Sequence, residues 1–145
     1  MRGGRRVVER QPKFHEWFHK FMIFFALWVF GAFAILYGIR HIAYVTENGA
    51  SHMTLDIILS VLLIILGIFI FKIRFDLAAL RERSIKELTG ACIVAALISL
   101  AFHWVEYISG DDCYQGCIFK TVVFVCWGIA LYRYYSARKN TFREY

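Results

Sequence analysis

The sequence predicts an all-α integral membrane protein: a four-transmembrane-helix bundle of two similar helical hairpins, with both termini in the cytoplasm. Three observations support this. Of the 145 residues, 59% are hydrophobic and only 19% are charged, which leaves too little polar surface to cover a soluble domain of this size. Four long apolar stretches are separated by short polar segments. The basic residues lie almost entirely on one side of the membrane that these stretches define.

Each apolar stretch is close to the length of a membrane-spanning helix. Residues 21–39 and 88–105 contain 19 and 18 residues without a charge, and about 20 apolar residues are needed to cross about 30 Å of hydrocarbon. The shorter stretch 57–71 and the stretch 113–132, which Lys120 interrupts, reach that length only if charged groups enter the membrane region. We therefore predict spans over residues 21–39, 55–73, 88–107 and 114–132.

The segments outside the membrane are short. We expect a basic juxtamembrane segment over residues 1–20, a membrane domain over residues 21–132 and a basic tail over residues 133–145. None of the polar segments is long enough to bury a core of its own. A cleaved signal peptide is the competing interpretation of the first span, but its apolar run is longer than a typical signal sequence and ends without a small-residue cleavage site.

The distribution of charge predicts the orientation. Fifteen of the 17 Lys and Arg residues lie on one side of the predicted membrane, and only Arg40 and Lys120 lie on the other. The positive-inside rule places both termini in the cytoplasm, and we predict the plasma (inner) membrane as the location. Because the basic residues flank the spans, anionic lipid headgroups are the expected partner of this charge, and nucleic acid is not.

The two halves of the chain resemble each other. The sequence HIAYVT at residues 41–46 recurs as HWVEYIS at residues 103–109, and GIFIFK at residues 67–72 recurs as GIALYR at residues 128–133. Both halves would enter from the cytoplasm, so a duplication would give a parallel repeat about an axis normal to the membrane. The alternative is that all membrane hairpins share apolar composition and interfacial aromatic residues.

Ionisable residues cluster at the outer ends of the spans. We call them the outer polar cluster: Arg40, His41, His52, Asp56, His103, Glu106 and Lys120. Ionisable groups inside a membrane are costly and usually face a partner in the bundle, so we expect Asp56 to pair with Lys120 and Arg40 with Glu106. These pairs would fix the register of the helices.

A metal ion is the competing interpretation of the outer polar cluster. Imidazole and carboxylate groups at helical spacings suit zinc or another transition metal. The candidate ligands are His41, His52, Asp56, His103 and Glu106.

A second metal motif lies before the first span. His15, Glu16 and His19 form an H-E-x-x-H pattern, which over these five residues resembles the zinc-binding signature of zincin metalloproteases. A third ligand would have to come from the middle loop: Asp76, Glu82 or Glu87. The competing interpretation is an amphipathic turn at the membrane surface.

Two cysteines, Cys113 and Cys117, lie in the predicted outer loop before the fourth span. An oxidising compartment on that side would favour a disulfide between them. Cys92 and Cys126 lie within apolar stretches and are typical of small packing residues.

Three classes of function remain. The first is a structural or accessory membrane subunit that associates with itself or with another membrane protein. It is favoured by the short loops and by the absence of charges from stretches 57–71 and 88–105. The second is a small oligomeric transporter or channel that uses the outer polar cluster as a vestibule. The third is a membrane metalloenzyme, although the sequence as a whole favours a protein that is not an enzyme.

Overall fold

The computed structural model describes residues 16–49, 52–109 and 114–138, and over these residues the chain is almost entirely helical. The elements are α1 (Glu16–Phe21), a π-helical turn (Met22–Ala26), α2 (Leu27–Asn48), α3 (Met53–Ala78), α4 (Arg83–Ser109) and α5 (Tyr114–Ser136). The first three follow one another without a break and together form the N-terminal helix. Each helix then packs along its neighbour in sequence: α2 against α3, α3 against α4, and α4 against α5.

Three of these helices are long and apolar enough to cross a membrane: residues Trp17–Asn48 of the N-terminal helix, α3, and Arg83–Ile108 of α4. Their outer faces carry many exposed large hydrophobic side chains, including Phe33 at 66%, Leu97 at 59% and Ile65 at 56%. Such surfaces are unfavourable in water and favourable in lipid. α5 is the additional helix, and it carries Lys120 and Arg133 within its length. An integral membrane protein is consistent with these helices.

The helices extend beyond the predicted spans at both ends. The predicted second and third spans leave residues 74–87 between them, but only residues 79–82 separate α3 from α4. The predicted spans end where the charges begin. In the structure the charged residues continue the helices and pair across them.

Five charged residues at this turn form a connected set of ion pairs between α3 and α4. Asp76 accepts from Arg81 at 2.7 Å and lies 3.7 Å from Lys72. Glu87 contacts Arg83 at 2.6 Å and Lys72 at 3.2 Å. Lys72 therefore links the two carboxylates, whose side chains are only 14% and 10% exposed.

We call this end of the molecule the basic end; it comprises α1, the π-helical turn, residues 72–88 and residues 131–138. The most deeply buried large side chains lie here, with Met22, Ile73, Leu77 and Tyr135 all at 0% exposure. The opposite end, which comprises residues 40–49, 52–56, 103–109 and 114–120, is the far end. The core is thus densest at the basic end.

Close packing in the first hairpin depends on glycine. A Cβ atom added at Gly67 would lie 2.8 Å from the carbonyl oxygen of Gly31, and one added at Gly38 would lie 2.8 Å from the carbonyl oxygen of Ser60. Backbone atoms of α2 and α3 therefore approach each other directly. Small residues permit such approaches between membrane helices.

The second hairpin has a related contact. A Cβ atom added at Gly128 of α5 would lie 2.9 Å from Cβ of Cys92 in α4. Gly31 and Gly67 are 36 residues apart, and so are Cys92 and Gly128. Both members of the second pair follow the first pair by 61 residues.

The π-helical turn is held by an arginine from α3. Nε of Arg74 donates a hydrogen bond to the carbonyl oxygen of Ile23 at 2.8 Å. A π-helical turn disturbs the regular hydrogen bonding of a helix and leaves carbonyl groups open to other donors. The guanidinium group also lies over the rings of Trp28 at 4.7 Å and Phe75 at 4.9 Å. The guanidinium group of Arg74 is therefore engaged by contacts within the protein.

Candidate functional site

The far end contains a chain of polar groups on α2 and α3. Ser60, which is fully buried, donates its hydroxyl proton to the carbonyl oxygen of Asp56 at 2.7 Å. Nδ1 of His41 lies 3.0 Å from the same hydroxyl oxygen. A hydroxyl has one proton to give, so Nδ1 of His41 is the donor in this second hydrogen bond. The His41 ring also meets the ring of Phe102 edge-on at 5.0 Å, which connects α2 to α4.

The structure does not contain the two predicted ion pairs. Asp56 is buried, at 8% exposure, and Lys120 is exposed, and these two described residues form no ion pair with each other. Arg40 is also exposed and does not pair with Glu106. The carboxylate of Asp56 lies in the first turn of α3, where the helix dipole stabilises a negative charge. That position, and not a lysine partner, accounts for a buried carboxylate at this site.

The candidate metal ligands are not brought together. Over the residues that the structure describes, no group of three His, Cys, Asp or Glu side chains could hold a metal ion. His41 is occupied by Ser60, His52 precedes the first turn of α3, and His103 is buried in α4. The metal interpretation of the outer polar cluster therefore has no geometric support.

The H-E-x-x-H pattern and the predicted disulfide fall partly outside the described residues. His15 and Cys113 lie there, and of the pattern only the His19 side chain is described. His19 is buried against α5, with Nδ1 3.3 Å from the hydroxyl oxygen of Tyr135. Asp76 and Glu87, two of the proposed third ligands, form ion pairs with arginine and lysine. The disulfide stays a prediction.

A cavity of about 270 Å³ lies between the N-terminal helix and α5, with α3 and α4 also contributing to its wall. α2 packs mainly against α3, and α5 mainly against α4, so a gap remains between the first and last helices. α4 forms the back wall through a row of residues on one face: Leu88, Ala91, Cys92, Ala95, Ile98, Ser99, Phe102 and Glu106. The cavity is only partly enclosed.

The cavity has an apolar body and a charged end. Phe124, Trp127 and Leu131 of α5 continue its wall towards the basic end, whereas Glu106 and Lys120 lie at the far end. Lys120 forms no hydrogen bond or ion pair with the described residues, and it is exposed. A molecule that fits this site would therefore be apolar over most of its length and polar at one end.

At the basic end, aromatic contacts join the first and last helices. The rings of Phe18 and Tyr134 are 4.6 Å apart, and Tyr134 meets Tyr135 edge-on at 4.9 Å. The hydrogen bond between Nδ1 of His19 and the hydroxyl group of Tyr135 lies beside them. Burial, with Tyr134 alongside, raises the pKa of the Tyr135 phenol, which lies beyond the predicted span. Its hydroxyl group therefore stays protonated at neutral pH.

Several residues that shape this region were missed by the sequence analysis. Ser60 is a polar residue within the apolar stretch 57–71, four positions after Asp56, and that spacing could have identified it. Arg74 and Tyr135 carried no such signal, because both look like ordinary residues at the end of a span. Of the outer polar cluster, only Glu106 and Lys120 line the cavity.

Comparisons with known proteins do not add to this geometry: no protein-family model, no curated protein and no solved structure matches the chain.

Proposed function

We propose that this chain is a non-catalytic membrane protein with four spans, an accessory subunit that binds an apolar molecule in the cavity between its first and last helices. The observation that carries this proposal is the cavity itself, which is apolar along its body and charged only at the far end. Hydrocarbon gains free energy in such a site. A hydrated ion would lose its water without replacement ligands, so the cavity favours a binding protein over a channel.

The four-span arrangement is part of the proposal. α5 has 23 residues, about 34 Å at 1.5 Å per residue, which is long enough to cross the hydrocarbon region. Lys120 lies near its far end, and Arg133 near its basic end. Long basic side chains in such positions can extend to the membrane surface. The predicted cytoplasmic orientation of the basic end follows from the same distribution of charge.

The glycine contacts support a duplicated hairpin. The close approach of Gly31 and Gly67 is matched at the same offset of 61 residues by Cys92 and Gly128. The sequence repeat aligns Gly67 with Gly128. Their contact partners in the structure, Gly31 and Cys92, are also 61 residues apart, so these contacts agree with the repeat.

Three measurements test the membrane part of the proposal. Resistance to alkaline carbonate extraction should show that the protein is integral to the membrane. Single cysteines at position 47 and after position 145, placed in a variant without the native cysteines, should be labelled from opposite sides. Labelling of both positions from the same side would contradict the four-span arrangement, in which three spans separate position 47 from the cytoplasmic C-terminus.

The binding part is tested by filling the cavity. Ala95 lies in the cavity wall at 9% exposure, so Ala95→Phe should displace a bound apolar molecule from the purified protein. Ala130→Phe is the matched control, because Ala130 is exposed on α5 and does not line the cavity. Native mass spectrometry should detect a bound molecule in the parent and in Ala130→Phe, and none in Ala95→Phe. Binding that survives in Ala95→Phe would overturn the proposal.

Association with another copy or with another membrane protein remains a prediction. The exposed apolar faces of the helices suit lipid as well as protein. The mass of the purified protein in the same native spectra determines whether it associates with itself.

A further inference from the structure

The charged end of the cavity identifies the class of molecule that it would hold. We propose that the cavity binds one acyl chain of a zwitterionic phospholipid, with the phosphate group beside Lys120 and the ammonium group beside Glu106. This inference rests on the proposed function, because it assigns an occupant to the same cavity.

The first argument is length. The wall of α5 runs from Lys120 to Leu131, 11 residues or about 16 Å along a helix. One leaflet of a bilayer has about half of the 30 Å of hydrocarbon, or about 15 Å. An acyl chain that starts from a headgroup at Lys120 would therefore extend along the whole apolar wall and end near the aromatic contacts at the basic end.

The second argument is position. Lys120 lies six residues from the start of α5, and Glu106 lies three residues before the end of α4. Both charges are therefore close to the far end of the bundle, where the headgroups of that leaflet would lie. The partial opening of the cavity leaves room for the second acyl chain to remain in the bilayer.

The third argument is charge complementarity. The cavity end contains one cation, Lys120, and one carboxylate, Glu106. Lys120 offers three donors to a phosphate group, and Glu106 offers acceptors to an ammonium group. A headgroup with only a negative charge would meet the Glu106 carboxylate at an energetic cost. A zwitterionic headgroup matches both residues.

The experiment compares two phospholipids with the same acyl chains. The full-length protein is purified in detergent and mixed with phosphatidylethanolamine and phosphatidylglycerol in equal amounts, and bound lipid is identified by native mass spectrometry. The parent protein should retain one phosphatidylethanolamine, preferred about fivefold over phosphatidylglycerol, as one exposed ion pair implies. Equal retention of the two lipids would overturn the headgroup assignment and leave the proposed function standing.

Two conservative variants test which side chain contacts the phosphate group and which contacts the ammonium group. Glu106→Gln should remove the preference, because phosphatidylglycerol no longer meets a carboxylate. Lys120→Gln should lower the retention of both lipids about fivefold. Lys86→Gln is the control, because Lys86 is exposed at the basic end and does not line the cavity. An unchanged lipid pattern in both Glu106→Gln and Lys120→Gln would overturn the inference.

The cavity-filling pair separates the two proposals. Loss of lipid in Ala95→Phe, with retention in Ala130→Phe, places the lipid in the cavity. If Ala95→Phe keeps its lipid, or if the parent protein retains none, the proposed function fails together with this inference. Because the glutamine variants alter only the end groups of side chains, they test the headgroup assignment even if Ala95→Phe does not fold.

Discussion

A Cβ atom added to Gly67 would lie 2.8 Å from the carbonyl oxygen of Gly31. The same atom would lie 2.7 Å from Cγ1 of Ile35 and 3.2 Å from Cβ of Ala34. A carbonyl oxygen in the middle of a helix cannot move without moving the helix. The separation of α2 and α3 is therefore set by the absence of a side chain at position 67.

Gly67→Ala should force α2 and α3 apart and destabilise the protein by about 1–3 kcal/mol, the usual cost of overpacking. Gly90→Ala is the matched control, since nothing lies within 4 Å of a Cβ atom added there. Alanine is the better helix former by about 1 kcal/mol, so the control should be neutral or stabilising. Unfolding in sodium dodecyl sulfate, followed by circular dichroism, measures both. Equal stability of the two variants would contradict the close approach.

Arg74 should contribute to stability through its hydrogen bond to Ile23 and not through its charge alone. Arg74→Gln removes the Nε donor and leaves the carbonyl oxygen of the π-helical turn without this partner, at a cost of about 1.5–3 kcal/mol. Arg133→Gln removes the same charge from an exposed position and should change the free energy of unfolding by less than about 0.5 kcal/mol. The same detergent titration compares them. A loss of equal size in both variants would show that only net charge matters.

The hydroxyl group of Tyr135 should contribute to the stability of the protein. Tyr135→Phe keeps the ring in the fully buried site but removes the hydrogen bond to His19, and it should cost about 1 kcal/mol. Tyr132→Phe is the control, because Tyr132 is 51% exposed. If Tyr135→Phe is as stable as the control, the contact between the first and last helices does not depend on this hydrogen bond.

The sequence predicted the helical class and three of the long apolar helices, because apolar length depends on composition alone. It did not predict the helix ends at the basic end. There, Lys72 and Glu87 lie 15 positions apart, and their pairing depends on a turn of only four residues, 79–82. Hydropathy contains no information on such pairing.

The same limit applies to the candidate site. The sequence identified Glu106 and Lys120 as polar residues at the outer ends of the spans, and both line the cavity. It paired Lys120 with Asp56 and Glu106 with Arg40 from membrane depth and charge sign only, and neither pair is among the ion pairs of the described residues. The cavity exists because α2 and α5 pack on their neighbours in sequence, which no spacing of residues reveals.

Asp56 and Lys120 should behave as independent residues. Asp56→Ala removes a carboxylate that the first turn of α3 stabilises, and the expected loss is about 0.5–1 kcal/mol. Glu47→Ala, at an exposed position near the end of α2, should cost less. Adding Lys120→Ala to Asp56→Ala should not restore stability, because neither change leaves an ion-pair partner unpaired. The coupling energy from the double-mutant cycle should stay within about 0.5 kcal/mol. Recovery of the parent stability in the double variant would instead mean that the two charges meet in the membrane, and that Lys120 is not available to a lipid phosphate.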